Sequence, residues 1–282
     1  MKEKYMHLSQ AGKDKKEALE RLTEIVGILR QECPWDKVQT HESLIPGMLE
    51  ESYEVVEAIN NKDKENLREE LGDVLLQVVF HALIEEENEN FCITDVMNDE
   101  CEKMIRRHPH VFLEETANNN GKSIDKVLEK WENIKVQEKG DKSYTSPMQR
   151  VPKALPALMR AYKVQKKAAK AGFDWEDASG AFDKIREEYA ELSECFEENP
   201  EDQVRLTDEM GDLLFSCVNL ARFIGVDPER ALYHTIDKFI RRFAYIEEST
   251  LACGRKLDEM SLTEMDMLWD EAKTKEEPRR NY

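Results

Sequence analysis

Four carboxylates in the first half of the chain stand in two pairs, Glu51 and Glu54 in EESYE, then Glu70 and Asp73 in EELGD. Three-residue spacing puts each pair on one face of a helix. The pattern returns in the second half as Glu188 and Glu191 in EEYAE and Glu209 and Asp212 in DEMGD. Glu70, Asp73 and Gln77 form a narrow polar stripe among Leu71, Val74, Leu75, Val78 and Val79. Glu209, Asp212 and Ser216 do the same among Met210, Leu213, Leu214 and Val218. A helix that is apolar around most of its circumference is expected to be buried. If each helix packs antiparallel to the preceding one, four carboxylates converge. Four anions in a partly dry cleft stay ionised only when compensated. An all-oxygen donor set suits Mg²⁺ or Mn²⁺ rather than Zn²⁺. The expected metal ligands are therefore Glu51, Glu54, Glu70 and Asp73 in one half, and Glu188, Glu191, Glu209 and Asp212 in the other.

With 60 acidic residues in 282, roughly a dozen acidic pairs at this spacing arise by chance, and such pairs normally sit on solvated faces. That reading competes for either quartet alone; repetition of both tells against it. A di-iron carboxylate bundle needs Glu-x-x-His from two helices. No such pair occurs near the quartets, where His81 lies far beyond Glu70 and Leu220 occupies its place in the second half. Lys103, Arg106 and Arg107, and again Lys238, Arg241 and Arg242, can clamp phosphate oxygens or form ordinary surface ion pairs. Trp131 and Trp269 follow at matching places, each with a Lys four residues on, suited either to stacking on a base or to a core. His108 and His110 flank Pro109 without a counterpart in the second half, which favours a helix-ending role. Neither a Gly-rich phosphate loop nor a nucleophile elbow is present.

The elements that must carry these residues are helices. Leu22, Ile25, Val26 and Leu29 keep a 3.6-residue period, as do Leu49, Tyr53, Val56 and Ile59, and no alternating strand pattern stands out. Loops are expected at NNNGKS (118–123) and QEKGDKSYTSPMQR (137–150). The repeat runs through the whole chain: EELGDVLLQVV returns as DEMGDLLFSCV, EKMIRRHPHVF as DKFIRRFAYI, LEKWENIK as MLWDEAK, and CPWD as GFDWED. All four tryptophans fall into it, Trp35 with Trp175 and Trp131 with Trp269. The sequence thus predicts two helical modules, 17–136 and 151–274, joined by 137–150.

Composition narrows the function classes. A net charge of −19 argues against nonspecific binding to nucleic acid. Six scattered cysteines without a Cys-x-x-Cys spacing predict neither a disulfide framework nor a zinc site, but reduced thiols in the cytoplasm. The N-terminal stretch MKEKYMHLSQAGKDKKEA has no apolar core of a secretory signal. The best apolar run, Val74 to Ile84, is too short for a bilayer, so no membrane association is expected.

The blocks CPWDKVQTH, EESYE, EELGD, RRHPHVF, LPALMRAYKVQKKAAKAGFDW and EMGDLLF together resemble the MazG family of nucleoside triphosphate pyrophosphohydrolases, from about Glu17 to Lys273. The resemblance implies an all-α fold of two tandem four-helix-bundle-like modules, a homodimer, and dependence on Mg²⁺. It implies that Glu188, Glu191, Glu209 and Asp212 hold the catalytic metal, with Glu51, Glu54, Glu70 and Asp73 as first-copy equivalents. The nucleotide-contacting residues it implies are Lys184, Lys238, Arg241, Arg242 and Trp269. Glu187 or a member of the quartet is the expected acceptor of the water's proton. Ile236 stands where the family usually has Asn, and Glu32 where Gly commonly precedes Cys-Pro-Trp-Asp.

The expected reaction is hydrolysis of a nucleoside triphosphate to monophosphate and pyrophosphate, with metal-activated water attacking the α-phosphorus. A second ion would accompany the leaving pyrophosphate, and the second-half cations would stabilise charge in the transition state. The alternative is a catalytically silent helical scaffold that binds nucleotide or regulates a partner; it would be marked by erosion of a quartet, which is not seen. A phosphoribosyl-ATP or dUTP pyrophosphohydrolase shares the chemistry without the tandem layout.

Overall fold

The computed structural model describes residues 2–112, 134, 143 and 145–275. Among them the chain is helical throughout and contains no strand, and it divides into two compact units, Met1–Lys135 and Val136–Tyr282. The NNNGKS loop, Trp131 and half of 137–150 lie outside the described residues; in the other half, where a loop was expected, Thr145–Gln149 is a short helix.

In the first unit, helix α1 spans Lys15–Glu32, α2 His41–Asn61, α3 Lys64–Glu87 and α4 Ile93–Arg107, with a short α5 at Pro109–Phe112. Local chemistry sets the boundaries. The Asp14 carboxylate accepts the Lys16 and Glu17 amides at the start of α1. Thr40 and Ser43 form a reciprocal capping box at the start of α2. Only Lys62 and Asp63 separate α2 from α3. Lys62 takes a left-handed conformation (φ 56°) that ends one helix, and Asp63 accepts the Glu65 and Asn66 amides to begin the next. So short a connection forces the two helices antiparallel. The core collects Val26 of α1, Leu44 of α2, and Val79, Phe80 and Ile84 of α3, with Leu19, Leu22, Leu76, Leu83 and Ile93 packed around them. Burying a Val, Leu or Phe side chain contributes about 1.5–3 kcal/mol, so this face of α3 anchors the unit. His108 ends α4, its Nδ1 lying 2.7 Å from the Met104 carbonyl oxygen. This is the helix-ending place its sequence context suggested.

In the second unit, a short α6 covers Thr145–Gln149, followed by α7 (Ala157–Lys170), α8 (Ala178–Glu198), α9 (Gln203–Phe223), α10 (Pro228–Ala252) and α11 (Leu262–Lys275). The order repeats that of the first unit in two respects: α8 and α9 form the antiparallel pair, and α7 packs on α9 as α1 packs on α3; α11 packs on α10. Asp202 caps α9 through the Arg205 amide, and Asp227 with Pro228 opens α10. Gly172, at φ 88°, closes α7 in a conformation that L side chains rarely adopt, and the Phe173 amide bonds back to Ala168. The chain is thereby turned so that Phe173, Asp174 and Trp175 pass over the end of α9.

One expectation needs correcting. Helices α3 and α9 are not buried around their whole circumference: Leu71 and Leu75 are 52% and 42% exposed, and Met210 and Leu214 45% and 51%. Helices α1, α2 and α4 cover α3, and α7, α8 and α10 cover α9; these partners leave one apolar flank of each open. Among the described residues, no helix is long and apolar enough to cross a membrane.

Candidate metal and nucleotide site

The α8–α9 pair brings Glu188, Glu209 and Asp212 together, with one carboxylate oxygen of each within 4.8 Å of the others. Three-residue and four-residue steps along antiparallel helices put these side chains on facing surfaces. Glu188 is buried, Glu209 half-buried and Asp212 exposed, so the cluster runs from the core to the surface. Glu191 joins it through a hydrogen bond with Glu188, and burial and that carboxylate push its pKa up. Lys184, one turn before Glu188, pairs with it at 2.6 Å and with Glu187 at 2.9 Å. These bonds to Glu188 and Glu187 raise its pKa, so it stays charged.

The first unit builds the same constellation. Glu51, Glu70 and Asp73 have oxygens within 4.8 Å of one another. Glu70 is buried; burial raises its pKa, and the Glu54 carboxylate bonded to it raises it further. Burial, followed by repulsion from Asp73 and Glu54, raises Glu51 too. At Glu51 and Glu70 the causes are burial and neighbouring carboxylates, whereas in the second cluster Lys184 pairs with Glu188. Both clusters are therefore held against their own repulsion, and their all-carboxylate donor set fits a hard divalent cation.

This has a testable consequence. A carboxyl group whose folded pKa lies above its unfolded value is protonated more in the folded state, so stability falls as pH rises through the interval between the two. Glu70→Gln is expected to make the metal-free protein more stable than the parent at neutral pH. The advantage should vanish as pH falls below the ordinary glutamate value of about 4.3. Thermal unfolding in chelator across pH 4–8 checks it; a gap independent of pH would contradict the assignment.

The second cluster opens into a cavity of about 500 Å³ between α7, α8 and α9. Lys184, Glu188 and Asp212 form its polar end; Phe173, Trp175 and Phe215 contribute aromatic surface elsewhere. Trp175 rests against the backbone of α8. A β-carbon at Gly180 would come 2.4 Å from the indole, so glycine is required for this seat, and Phe223 flanks the ring at 6.3 Å. Asp174 fixes the loop through two bonds from Arg222, at 2.9 and 2.5 Å.

The counterpart place in the first unit carries a different residue. Matching EELGDVLLQVV to DEMGDLLFSCV sets Phe80 against Asn219. Phe80 is buried in the core with Val26 and Val79, whereas Asn219 lines the cavity.

The remaining expected residues lie elsewhere. Lys238, Arg241 and Arg242 are on α10 and Trp269 on α11; none of them lines the cavity. Two of them meet: the Arg242 guanidinium lies over the Trp269 ring, 5.4 Å from its centre, and Phe239 flanks that ring at 5.1 Å. In the first unit Lys103 pairs with Glu100 and, with Arg106, borders a shallow surface recess beside Phe91 and Asp95. Sequence reasoning missed Gln165, Asn219 and Arg222, which line the cavity. Their one signal was position: Gln165 shares the inward face of α7 with Leu158, Ala161 and Ala168, where a polar residue is out of place.

Comparison with known proteins gives a consistent picture. The MazG nucleotide pyrophosphohydrolase domain matches twice, at residues 39–112 and 179–246. The nucleoside triphosphate pyrophosphohydrolase/pyrophosphatase MazG of Thermotoga maritima is 46% identical over 90% of this chain and 95% of its own. The nucleoside triphosphate pyrophosphohydrolase of Escherichia coli is 42% identical over 92% of this chain and 98% of its own. An uncharacterised Bacillus subtilis protein, YabN, is 51% identical over 86% of this chain and 49% of its own.

Proposed function

Because the chain belongs to the MazG nucleotide pyrophosphohydrolase family, we infer that it hydrolyses nucleoside triphosphates to the monophosphate and pyrophosphate. The observation that carries the reading is the carboxylate cluster of Glu188, Glu209 and Asp212 at the polar end of a nucleoside-sized cavity.

The catalytic ligands are Glu188, Glu191, Glu209 and Asp212, and the ion is Mg²⁺, with Mn²⁺ a chemically equivalent substitute. When bound, such an ion would neutralise phosphate charge and ease loss of a proton from the water that attacks the α-phosphorus. The protein's own groups do the rest. Lys184 offsets the cluster's charge and holds Glu188 in place. Glu187, which accepts a hydrogen bond from Lys184, or a member of the quartet accepts the water's proton. Lys238, Arg241 and Arg242 would meet the outer phosphates, with Trp269 supporting the Arg242 guanidinium on its ring face.

Hydrolysis is assigned to the second module, 151–274. The first, 17–136, joined to it by 137–150, keeps its carboxylates for a metal, but sets the buried Phe80 ring where the second has the cavity-lining Asn219. The open flanks of α3 and α9, with exposed Tyr53, Val56, Tyr189 and Phe196 on the neighbouring helices, support a homodimer that buries them. Sedimentation equilibrium returning a monomer at micromolar concentration would contradict it. Six free thiols and the acidic surface support a cytoplasmic protein that binds neither membrane nor nucleic acid.

Anion-exchange analysis of products from NTPs and dNTPs tests the reaction. Monophosphate and pyrophosphate should form with Mg²⁺ and not in chelator. Diphosphate plus phosphate would mean attack at another phosphorus, and no turnover of any nucleotide would favour the silent scaffold.

A further inference from the structure

The cavity contains a buried polar group with no structural use for half of its valences. Gln165 is 6% exposed, and its Nε2 donates to the Phe215 carbonyl oxygen at 2.8 Å. A carbonyl only accepts, so this bond fixes the amide: nitrogen toward α9, oxygen away from it. That oxygen, Oε1, is buried and has no hydrogen-bond partner. A buried unsatisfied acceptor in a native fold calls for an explanation.

Its neighbours supply one. Asn219, also lining the cavity, accepts the Arg222 Nε–H at 2.9 Å through Oδ1. Arg222 cannot turn away, because Asp174 holds both of its terminal nitrogens. The Asn219 amide is thereby oriented with its NH₂ as the remaining donor. The residues that line the cavity thus include one buried acceptor without a protein partner, on Gln165, and one donor, on Asn219, each oriented by protein, beside the aromatic surfaces of Phe173, Trp175 and Phe215. Flat apolar walls with a fixed acceptor and donor match the edge of a nucleobase, which presents an N–H donor next to an acceptor. A sugar's hydroxyls also donate and accept, but a sugar has no flat face to lie against the rings.

We propose that Gln165, with Asn219, reads the base edge of the nucleotide and sets which base the protein prefers, Gln165 Oε1 accepting a base N–H. This deepens the hydrolytic reading and rests on it for the placement of the triphosphate at the carboxylates. Phe80 in the first unit replaces the Asn219 half of the reader with a buried ring.

The test measures binding rather than turnover, so that it fails separately from the hydrolytic assignment. The full chain is titrated calorimetrically with AMP, GMP, CMP and UMP, and with their deoxy forms. The parent should prefer one or more bases by at least about tenfold, because an unpaired buried acceptor penalises a ligand that cannot satisfy it. Gln165→Met keeps the length of the side chain and removes the acceptor. It should weaken the favoured base by about 10- to 100-fold and flatten the ranking, while Gln165→Glu, which keeps an acceptor oxygen, should retain part of it. Equal affinity of the parent for all four bases would overturn the proposal. So would a uniform loss across bases in Gln165→Met, the mark of a structural role, or a change confined to the ribose-to-deoxyribose ratio. Should these ligands bind with the expected ranking while no triphosphate is hydrolysed, the base reader stands and the hydrolytic assignment falls.

Discussion

Glu209→Gln is expected to lower kcat for pyrophosphate release by at least about a thousandfold, with the helices intact. The amide keeps the shape of the side chain but removes one of three carboxylates whose oxygens lie within 4.8 Å. The remaining anions hold a divalent cation less well, and the neutral amide ligand changes the charge around the reacting water. Glu209 is half-buried on α9 and helical packing does not depend on its charge, so far-ultraviolet circular dichroism should be unchanged. The equivalent change in the first unit, Glu70→Gln, should leave turnover within about twofold, since the buried Phe80 ring stands there where the second unit has the cavity-lining Asn219. Activity retained in Glu209→Gln would remove the second cluster from the mechanism. Loss in Glu70→Gln alone would move hydrolysis to the first copy.

The largest expected effect on stability is at Phe80. Phe80→Ala should cost the first unit about 3–5 kcal/mol, the range for deleting a buried aromatic ring. The ring is 4% exposed and packs with Val26, Leu44, Val79 and Ile84. It also carries the Arg30 guanidinium 5.4 Å from its centre. That guanidinium is pinned by Glu87 and by the carbonyls of Asp36 and Gln39, at 2.7 and 2.9 Å. Little can therefore move inward to fill the space. Hydrogen exchange read by mass spectrometry should show faster exchange of the α1 and α3 amides, and urea should unfold the first unit at a lower midpoint. A loss below about 1 kcal/mol would mean that the core collapses into the space, contrary to the rigid surround described above.

Much of this was open to reading from the sequence because it depends on local pattern. Helical period located α1 and α2, and the paired acidic blocks located the carboxylates that α2 with α3, and α8 with α9, bring together. Repetition separated those carboxylates from the many acidic pairs expected by chance. The same reasoning overreached at α3 and α9, where an apolar circumference suggested full burial. Hydrophobicity tells that a surface avoids water, but not whether a neighbour within the chain covers it.

Gln165 and Asn219 mark the limit most clearly. In the sequence, one is a polar interruption on a helix face and the other an unremarked residue after a repeated block. Their meaning comes from partners 50 residues away in one case and from a relay through Arg222 to Asp174 in the other. What the sequence by itself determined was the helical repeat, the acid pairs and their family, because these are properties of spacing along one chain. What surrounds the second carboxylate cluster, how each amide is turned, and where the α10 cations lie were decided by tertiary packing alone. Hydrogen-bond direction and enclosed volume depend on which surfaces meet, and side chains at the same place in the repeat, Phe80 and Asn219, fill and line that meeting place differently.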